Sequence, residues 1–432
     1  MLNFEKKIFQ RFKDKKICIL GFGREGESTL ETLRQVFPDK TIGIADIKPK
    51  AIKDKHIKFH SGKDYLKALK LYNVIFRTPG IPVALVKKST KTNTEITSQT
   101  KLFFDLCPAN IIGVTGTKGK STTASLIYQV LKSKFKTYLI GNIGYPPLDR
   151  LKQIKKDSKV VFEISSHQLS DLHQSPQIAV FLNLFPEHMD YYSSFSQYTK
   201  AKANITKFQT KKDLLIFNSK SLLVSKIAKT SQAKKIPFPI QENFISLKDS
   251  PLIGKFNLIN IMPSVIIGKY FKIPEKKIIQ IIKDFKPLNH RLEKVGKYNG
   301  ITFINDSLAT VPQATIAAIN SLQSHIGSLI VGGFDRGVDQ APLIQSILDS
   351  SVSTVIVLPD TGLKIKAIIE KHKKKPLKLL KATSMNQAVE LAFANTNKGK
   401  TCLMSPGAAS FNMFKNYQDR GNQFKQAVRS LA

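Results

Sequence analysis

"GVTGTKGKSTT", residues 113–123, is the stretch on which the reading of this chain turns. It joins an apolar run, "NIIGVTG" (110–116), to the helix-forming "KSTTASLIYQVLKSK" (120–134). A glycine-rich turn between strand and helix points backbone N–H groups inward, and the helix N-terminus adds partial positive charge, so phosphate binds there. Gly116, Thr117, Lys118 and Gly119 form the cradle. Lys120 is placed to neutralise β and γ phosphate oxygens, and the Ser121 or Thr122 hydroxyl to reach a magnesium ion. The common pattern has a glycine five places before the Gly-Lys pair. Val114 stands there, flanked by Gly113 and Gly116, so the loop is a variant of the usual one.

Outward from this loop, apolar runs alternate with helical segments. Upstream, "KICILGFG" (16–23) leads into "REGESTLETLRQVF" (24–37), followed by "TIGIAD" (41–46) and "NVIFRTPGI" (73–81). Downstream, strands are expected at "VVFEIS" (160–165), "IAVFLNL" (178–184), "LLIFN" (214–218), "ITFIND" (301–306), "SLIVGG" (328–333) and "TVIVLP" (354–359). The alternation predicts an α/β fold of parallel sheets covered by helices. Boundaries near "DLCPAN" (105–110) and "KPLNHRLE" (286–293) divide it into three consecutive domains: 1–106, Rossmann-like; 107–288, carrying the phosphate loop on a mostly parallel sheet; and 289–432, again Rossmann-like.

Composition narrows the function. The 432 residues are too many for one ordinary core. Cys18, Cys107 and Cys402 have no metal-ligand spacing and read as free thiols in a reducing compartment. No stretch reaches the roughly 18 apolar residues of a membrane span, and the basic N-terminus lacks a signal-peptide core, so a soluble cytoplasmic protein is expected. The net charge of +37 invites a nucleic-acid reading, but the lysines are spread along the chain, as at 211–213 and 371–378, and no RNA-reading signature appears. The charge is read as a solvated surface, with an anionic substrate or weak association with an anionic membrane surface as alternatives.

The displaced glycine points to a group. "GVTGTKGKSTT" resembles the G-x-T-G-T-N-G-K-[ST]-[ST] loop of the Mur ligases and folylpolyglutamate synthases. Further similar segments follow in family order: "GNIG" (141–144), "EISSHQL" (163–169), "NLFPEHMDYY" (183–192), "YTKAK" (198–202), "FNLIN" (256–260), "HRLE" (290–293), "NDSLAT" (305–310) and "SPGAASFNMFKNYQDRG" (405–421). The resemblance covers almost the whole chain, and "EISSHQL" with the last segment looks like the D-glutamate-adding branch of the Mur ligase family. It implies a cytoplasmic monomer of peptidoglycan precursor synthesis that joins D-glutamate to UDP-N-acetylmuramoyl-L-alanine. ATP phosphorylates the substrate carboxylate, and the amine attacks the acyl phosphate.

By resemblance, Glu163 and Ser121 hold one magnesium ion, and His188 with Lys202, carbamylated in this family, the second. Asn142 lies near the γ-phosphate and the sugar substrate, and Asn260, Arg291 and Asp306 hold the rest of ATP. Thr310, Arg336, Ser410 and Tyr417 receive the incoming amino acid, Arg336 through a bidentate pair with its carboxylate. Lys118 stands for the usual loop Asn, Leu308 for a Lys, and Arg336 and Tyr417 for the Lys and Phe of many relatives, which leaves L-glutamate or another amino acid open. Gly21, Gly23 and Gly26 spell GxGxxG, with Asp46 twenty residues on, the dinucleotide fingerprint of an NAD-dependent oxidoreductase. The resemblance implies instead that this turn, with Asp46 and Thr78 of "RTPGI" (77–81), holds the UDP of the sugar substrate.

Overall fold

The computed structural model describes residues 2–189, 191–239, 250–254, 256–372 and 376–431; Asp190 and the lysines 373–375 of the two quoted segments lie outside them. Three α/β domains follow one another, each built on one sheet. The chain forms two compact units, residues 1–244 with 258–282 and residues 245–257 with 283–432.

The first unit carries two sheets. One is made of β1 (Ile17–Leu20), β2 (Ile42–Ala45), β3 (Ile57–His60), β4 (Val74–Arg77) and β5 (Glu95–Thr97) in the order β3-β2-β1-β4-β5. The other is made of β6 (Asn110–Thr115), β7 (Thr137–Gly141), β8 (Lys159–Glu163), β9 (Ile178–Phe181), β10 (Leu214–Asn218) and β11 (Lys234–Phe238) in the order β11-β10-β9-β6-β8-β7. Every pairing in both is parallel. Ile17–Leu20 and Ile111–Thr115 are buried throughout, which is why they read as unbroken apolar runs: a parallel strand covered on both faces has no solvent side. The helix Lys120–Lys132 buries Ala124, Leu126, Ile127, Val130 and Leu131, spaced to keep one face inward. One continuous apolar cluster runs from Ile8 and Phe12 through Phe103 and Phe162 to Ala233, joining the two sheets.

Strand order places the turns that matter. β1 lies between β2 and β4, where the chain reverses direction across the sheet, and β6 lies between β8 and β9 in the same way. Crevices at such points, beyond the carboxyl ends of the strands, are where α/β sheets bind ligands. The GxGxxG turn follows β1 and the phosphate loop follows β6.

The second unit carries β12 (Glu293–Tyr298), β13 (Ile301–Asn305), β14 (Ile326–Gly333), β15 (Thr354–Asp360), β16 (Lys378–Lys381) and β17 (Thr401–Met404) in the order β12-β13-β17-β14-β15-β16, with an apolar cluster on each face. It departs from the parallel expectation at one edge, where β12 runs antiparallel to β13. The two are joined by Asn299 and Gly300, both at positive φ (50° and 82°), a tight hairpin that allows no crossover.

Candidate active site

The glycine turn after β1 is built by contact as well as by conformation. Gly21 has φ +87°, and a Cβ there would sit 2.0 Å from Thr78 Oγ1, which donates to the Leu20 carbonyl at 3.0 Å. Asp46 Oδ2 accepts from the Phe22 N–H at 2.7 Å and Oδ1 from the Lys48 N–H at 3.0 Å, so the carboxylate holds the turn's own backbone. Gly23 caps the helix Arg24–Val36, in which Gly26 is buried. Arg24 donates to the Gly144 carbonyl, tying this turn to the one that follows β7.

In the phosphate loop Gly119 has φ +90°, and a Cβ would meet Asn260 Oδ1 at 2.1 Å; the Asn260 carbonyl accepts from Thr123 Oγ1 at 3.0 Å. Asn260 is therefore placed directly against the loop. Asn183 clamps Lys118 twice, accepting its N–H at 2.9 Å and donating to its carbonyl at 2.9 Å. Lys120 Nζ donates to the Thr117 carbonyl at 2.9 Å, and Thr117 Oγ1 accepts from Tyr198 at 3.0 Å. Thr122 is buried, whereas the neighbouring Ser121 is partly exposed.

Around the loop the charges are arranged in depth. Glu163, at the end of β8, is fully buried; its Oε1 accepts from Asn142 Nδ2 at 3.3 Å and its Oε2 has no hydrogen-bond partner among the described residues. A buried, half-satisfied carboxylate is costly unless a cation completes it. Lys202 is 1% exposed on the helix Phe195–Lys207, and its Nζ donates to the Gly116 carbonyl at 2.8 Å. Burial foremost, then the nearby Lys120, hold its amine well below the ordinary lysine range. Lys118 forms an ion pair with Glu187. Burial works to raise the Glu187 carboxyl, but Lys118, then Lys120 and His188, bring it below its ordinary value. His188 has φ +60° and packs its ring on His167, with centroids 4.7 Å apart.

These elements meet in one cavity of about 440 Å³. Its walls are Gly23, Arg24, Glu25 and Thr78–Gly80 from the first sheet, and Lys120, Asn142, Ser165–Gln168, Glu187, His188, Tyr198 and Lys202 from the second. Sequence reasoning missed the part that fixes the two together. Arg77, its side chain fully buried, pairs with Asp171 (Nη2 to Oδ1 2.8 Å) and donates to the carbonyls of Ile81 at 2.8 Å, Pro79 at 3.1 Å and His167 at 3.2 Å. Tyr191 donates to the Pro79 and Ile81 carbonyls as well. The "RTPGI" segment is thus laced to the loops that carry His167 and His188.

The second unit holds the remaining candidates. Asp306 is buried, with Oδ1 accepting from Leu292 N–H at 3.1 Å and Oδ2 from Ser405 Oγ at 2.7 Å, so it braces the turn that carries Arg291. Arg336, exposed after β14, lies over the Phe411 ring at 5.6 Å, beside the buried Ser410. Thr310 is partly exposed after β13. The Tyr417 carbonyl accepts from Ser307 Oγ at 2.8 Å, and its ring packs on His290. A second cavity, around Asn299, Ile301, Phe393 and Lys398, lies at the other end of that sheet and includes none of these candidates.

Three α/β domains on largely parallel sheets, a variant phosphate loop and a cavity shared with a second nucleotide-type turn define a class, and the chain belongs to it: the Mur ligase family. Residues 114–268 match the Mur ligase middle domain and residues 290–407 the Mur ligase, glutamate ligase domain. Within the family the chain is 33% identical to the UDP-N-acetylmuramoylalanine–D-glutamate ligase of Acetivibrio thermocellus, over 99% of this chain and 98% of that protein. It is 32% identical to the ligase of the same name from Clostridium botulinum, over 99% and 100%. In fold it is similar to the MurF ligase from Thermotoga maritima in complex with ADP (TM-score 0.62, 15% identity, 97% of each chain) and to the UDP-N-acetylmuramate-alanine ligase MurC from the same organism (TM-score 0.60, 14% identity, 97% and 100%). Among the described residues no helix is long and apolar enough to cross a membrane.

Proposed function

We propose that the protein is an ATP-dependent ligase that adds D-glutamate to UDP-N-acetylmuramoyl-L-alanine in peptidoglycan precursor synthesis. The observation that carries this is the shared cavity: Lys120 of the phosphate loop and the Gly23–Thr78 wall of the glycine turn line one space. A sugar nucleotide held on the first sheet then places its lactoyl-alanine carboxylate before the γ-phosphate of ATP.

Lys120, released from the Thr117 carbonyl, neutralises charge as the γ-phosphoryl group moves to the carboxylate. The acyl phosphate supplies a leaving group, and the amine of the amino acid attacks to give the amide, ADP and phosphate. Asn142 positions the transferring group. Asn260, Arg291 and Asp306 serve the ATP, and Thr310, Arg336, Ser410 and Tyr417 the amino acid, Arg336 as the fork for a carboxylate.

Magnesium fits the residues present. The described residues contain no cluster of three His, Cys, Asp or Glu side chains that would cage a metal, but Mg²⁺ is ordinarily held by one or two carboxylates, waters and substrate phosphates. The unpartnered Glu163 Oε2 with Ser121 suits one ion, and His188 with Lys202 the other. Bound there, the ions neutralise phosphate charge. Carbamylation of Lys202 needs a neutral amine, which its burial favours, and gives that position an anion. A soluble monomer of the cytoplasm, with domains at 1–106, 107–288 and 289–432, completes the reading. Phosphate release from ATP is measured with UDP-N-acetylmuramoyl-L-alanine and each of D-Glu, L-Glu and other amino acids. Release that depends on D-Glu supports it, and release with L-Glu but not D-Glu overturns the assigned amino acid.

A further inference from the structure

Arg420 stands one turn into the helix Tyr417–Ser430, and its side chain is fully buried. Its guanidinium spans two turns of chain. Nε donates to Ser307 Oγ at 3.0 Å and Nη2 to the Ser307 carbonyl at 2.9 Å, while Nη1 donates to the carbonyls of Ala408 at 3.0 Å and Ala409 at 3.3 Å. The Ala409 carbonyl also accepts from the Phe334 N–H at 2.8 Å, which draws in the end of β14. Gly333 leaves room for this meeting: a Cβ there would lie 2.3 Å from the Ala409 oxygen and 3.1 Å from Nη1. Ser307 Oγ in turn donates to the Tyr417 carbonyl at 2.8 Å, which closes the ring on the first residue of the helix.

These bonds gather around one side chain the four segments that carry Thr310, Arg336, Ser410 and Tyr417. A space that only had to be filled would hold an apolar side chain at less cost than a buried cation. A planar fork does more, because it fixes the angle between the loops it bonds. Burial lowers the Arg420 pKa to about 10, against the pull of Asp306, so the group stays charged at neutral pH. We propose that Arg420 is a positioning residue for the incoming amino acid, holding the Thr310, Ser410 and Arg336 turns against the helix in the arrangement that receives its carboxylate. It acts through those residues and does not touch the substrate. The proposal rests on the assignment of Thr310, Arg336, Ser410 and Tyr417 to the amino acid.

The test measures initial rates of phosphate release with D-glutamate varied and ATP, Mg²⁺ and UDP-N-acetylmuramoyl-L-alanine saturating, then with each nucleotide varied in turn. Arg420→Lys keeps the charge and loses the fork. Its KM for D-glutamate rises about tenfold, the worth of one charge-assisted hydrogen bond to a carboxylate, whereas the other two KM values and kcat stay within about threefold. Ser307→Ala deletes one acceptor of the fork and no charge; it moves the same KM in the same direction by about threefold, and it decides the matter where the Arg420→Lys protein does not fold. An unchanged KM for D-glutamate in the folded variant overturns the proposal. An equal rise in all three KM values overturns it too, by marking Arg420 as a general brace of the domain, and so does a fall in kcat alone. Arg336→Ala tests the underlying assignment: an unchanged D-glutamate KM there sinks the amino-acid site itself, whereas a rise there with Arg420→Lys flat sinks only the role of Arg420.

Discussion

Arg77→Met removes a fully buried guanidinium while keeping most of its volume, and the structure sets the size of the effect. The substitution strands Asp171, only 12% exposed, and takes donors from four carbonyls, of which those of Pro79 and Ile81 retain Tyr191 and those of Thr78 and His167 lose their Arg77 bonds. Breaking one side of a buried pair costs about 3–5 kcal/mol. For a unit of this size each kcal/mol lowers Tm by about 2–4 °C, so a fall of about 10 °C is expected in scanning calorimetry. The double variant Arg77→Met with Asp171→Leu removes the stranded charge and recovers part of the loss. Because the same side chain laces residues 78–81 to the His167 and His188 loops, KM for the sugar nucleotide rises as well. An Arg77→Met protein that melts within about 2 °C of wild type refutes the argument, since it means that solvent already compensates the carboxylate.

Lys120→Ala lowers turnover by about 10²-fold or more without a comparable loss of Tm, and near-normal phosphate release in the folded variant dismisses the loop assignment. Lys202→Ala loses most activity and is partly restored by acetate or formate; Lys202→Arg, which cannot form a carbamate, is inactive and not rescued, and turnover by the arginine variant removes the carbamate from the scheme. Asp46→Ala frees the Phe22 and Lys48 N–H groups and weakens uridine-diphosphate sugar binding in calorimetry, and tight NAD binding by wild type reverses the choice between the two ligands. Burial raises the Asp306 carboxyl from 3.8 to about 7, so the unfolded chain releases that proton first and the group's contribution to stability falls as pH rises between those values. Asp306→Asn removes that decline; identical pH profiles of Tm for the two proteins contradict it.

The sequence showed the centre of each sheet better than its rim. β1, β2, β4, β6, β8, β9, β10, β13, β14 and β15 coincide with apolar runs, since nearly all of their residues are buried. The strands missed are the central, fully buried β17 and every edge: β3, β5, β7, β11, β12 and β16. The edge residues are largely part-exposed, as in Lys234–Phe238 and Lys378–Lys381, so no unbroken apolar run marks them. The Asn299-Gly300 pair was a legible hairpin signal that the parallel expectation passed over. In the site, the glycine turns and the residues at strand ends were legible because backbone chemistry ties them to fixed spacings. Arg77 and Asp171 were not, because they meet across 94 residues of chain and each alone reads as a surface charge. Glu25 escaped for a similar reason: its partner Gln168 comes from the other sheet's domain.

The apolar cluster shared by the first two sheets sets what can be cut. Phe103 and Phe104, just before the expected boundary at 106, pack against Phe162 of β8, edge-on and tilted, with centroids 5.8 Å and 5.9 Å away. A fragment beginning at residue 107 leaves Phe162 and its neighbours facing water, and a fragment ending at 106 does the same to Phe103. Neither half can be exchanged with a relative's by splicing at the loop, because the mating surfaces have to be carried along with it. The glycine turn after β1 and the phosphate loop thereby stand on one shared core, and unfolding of either domain exposes both.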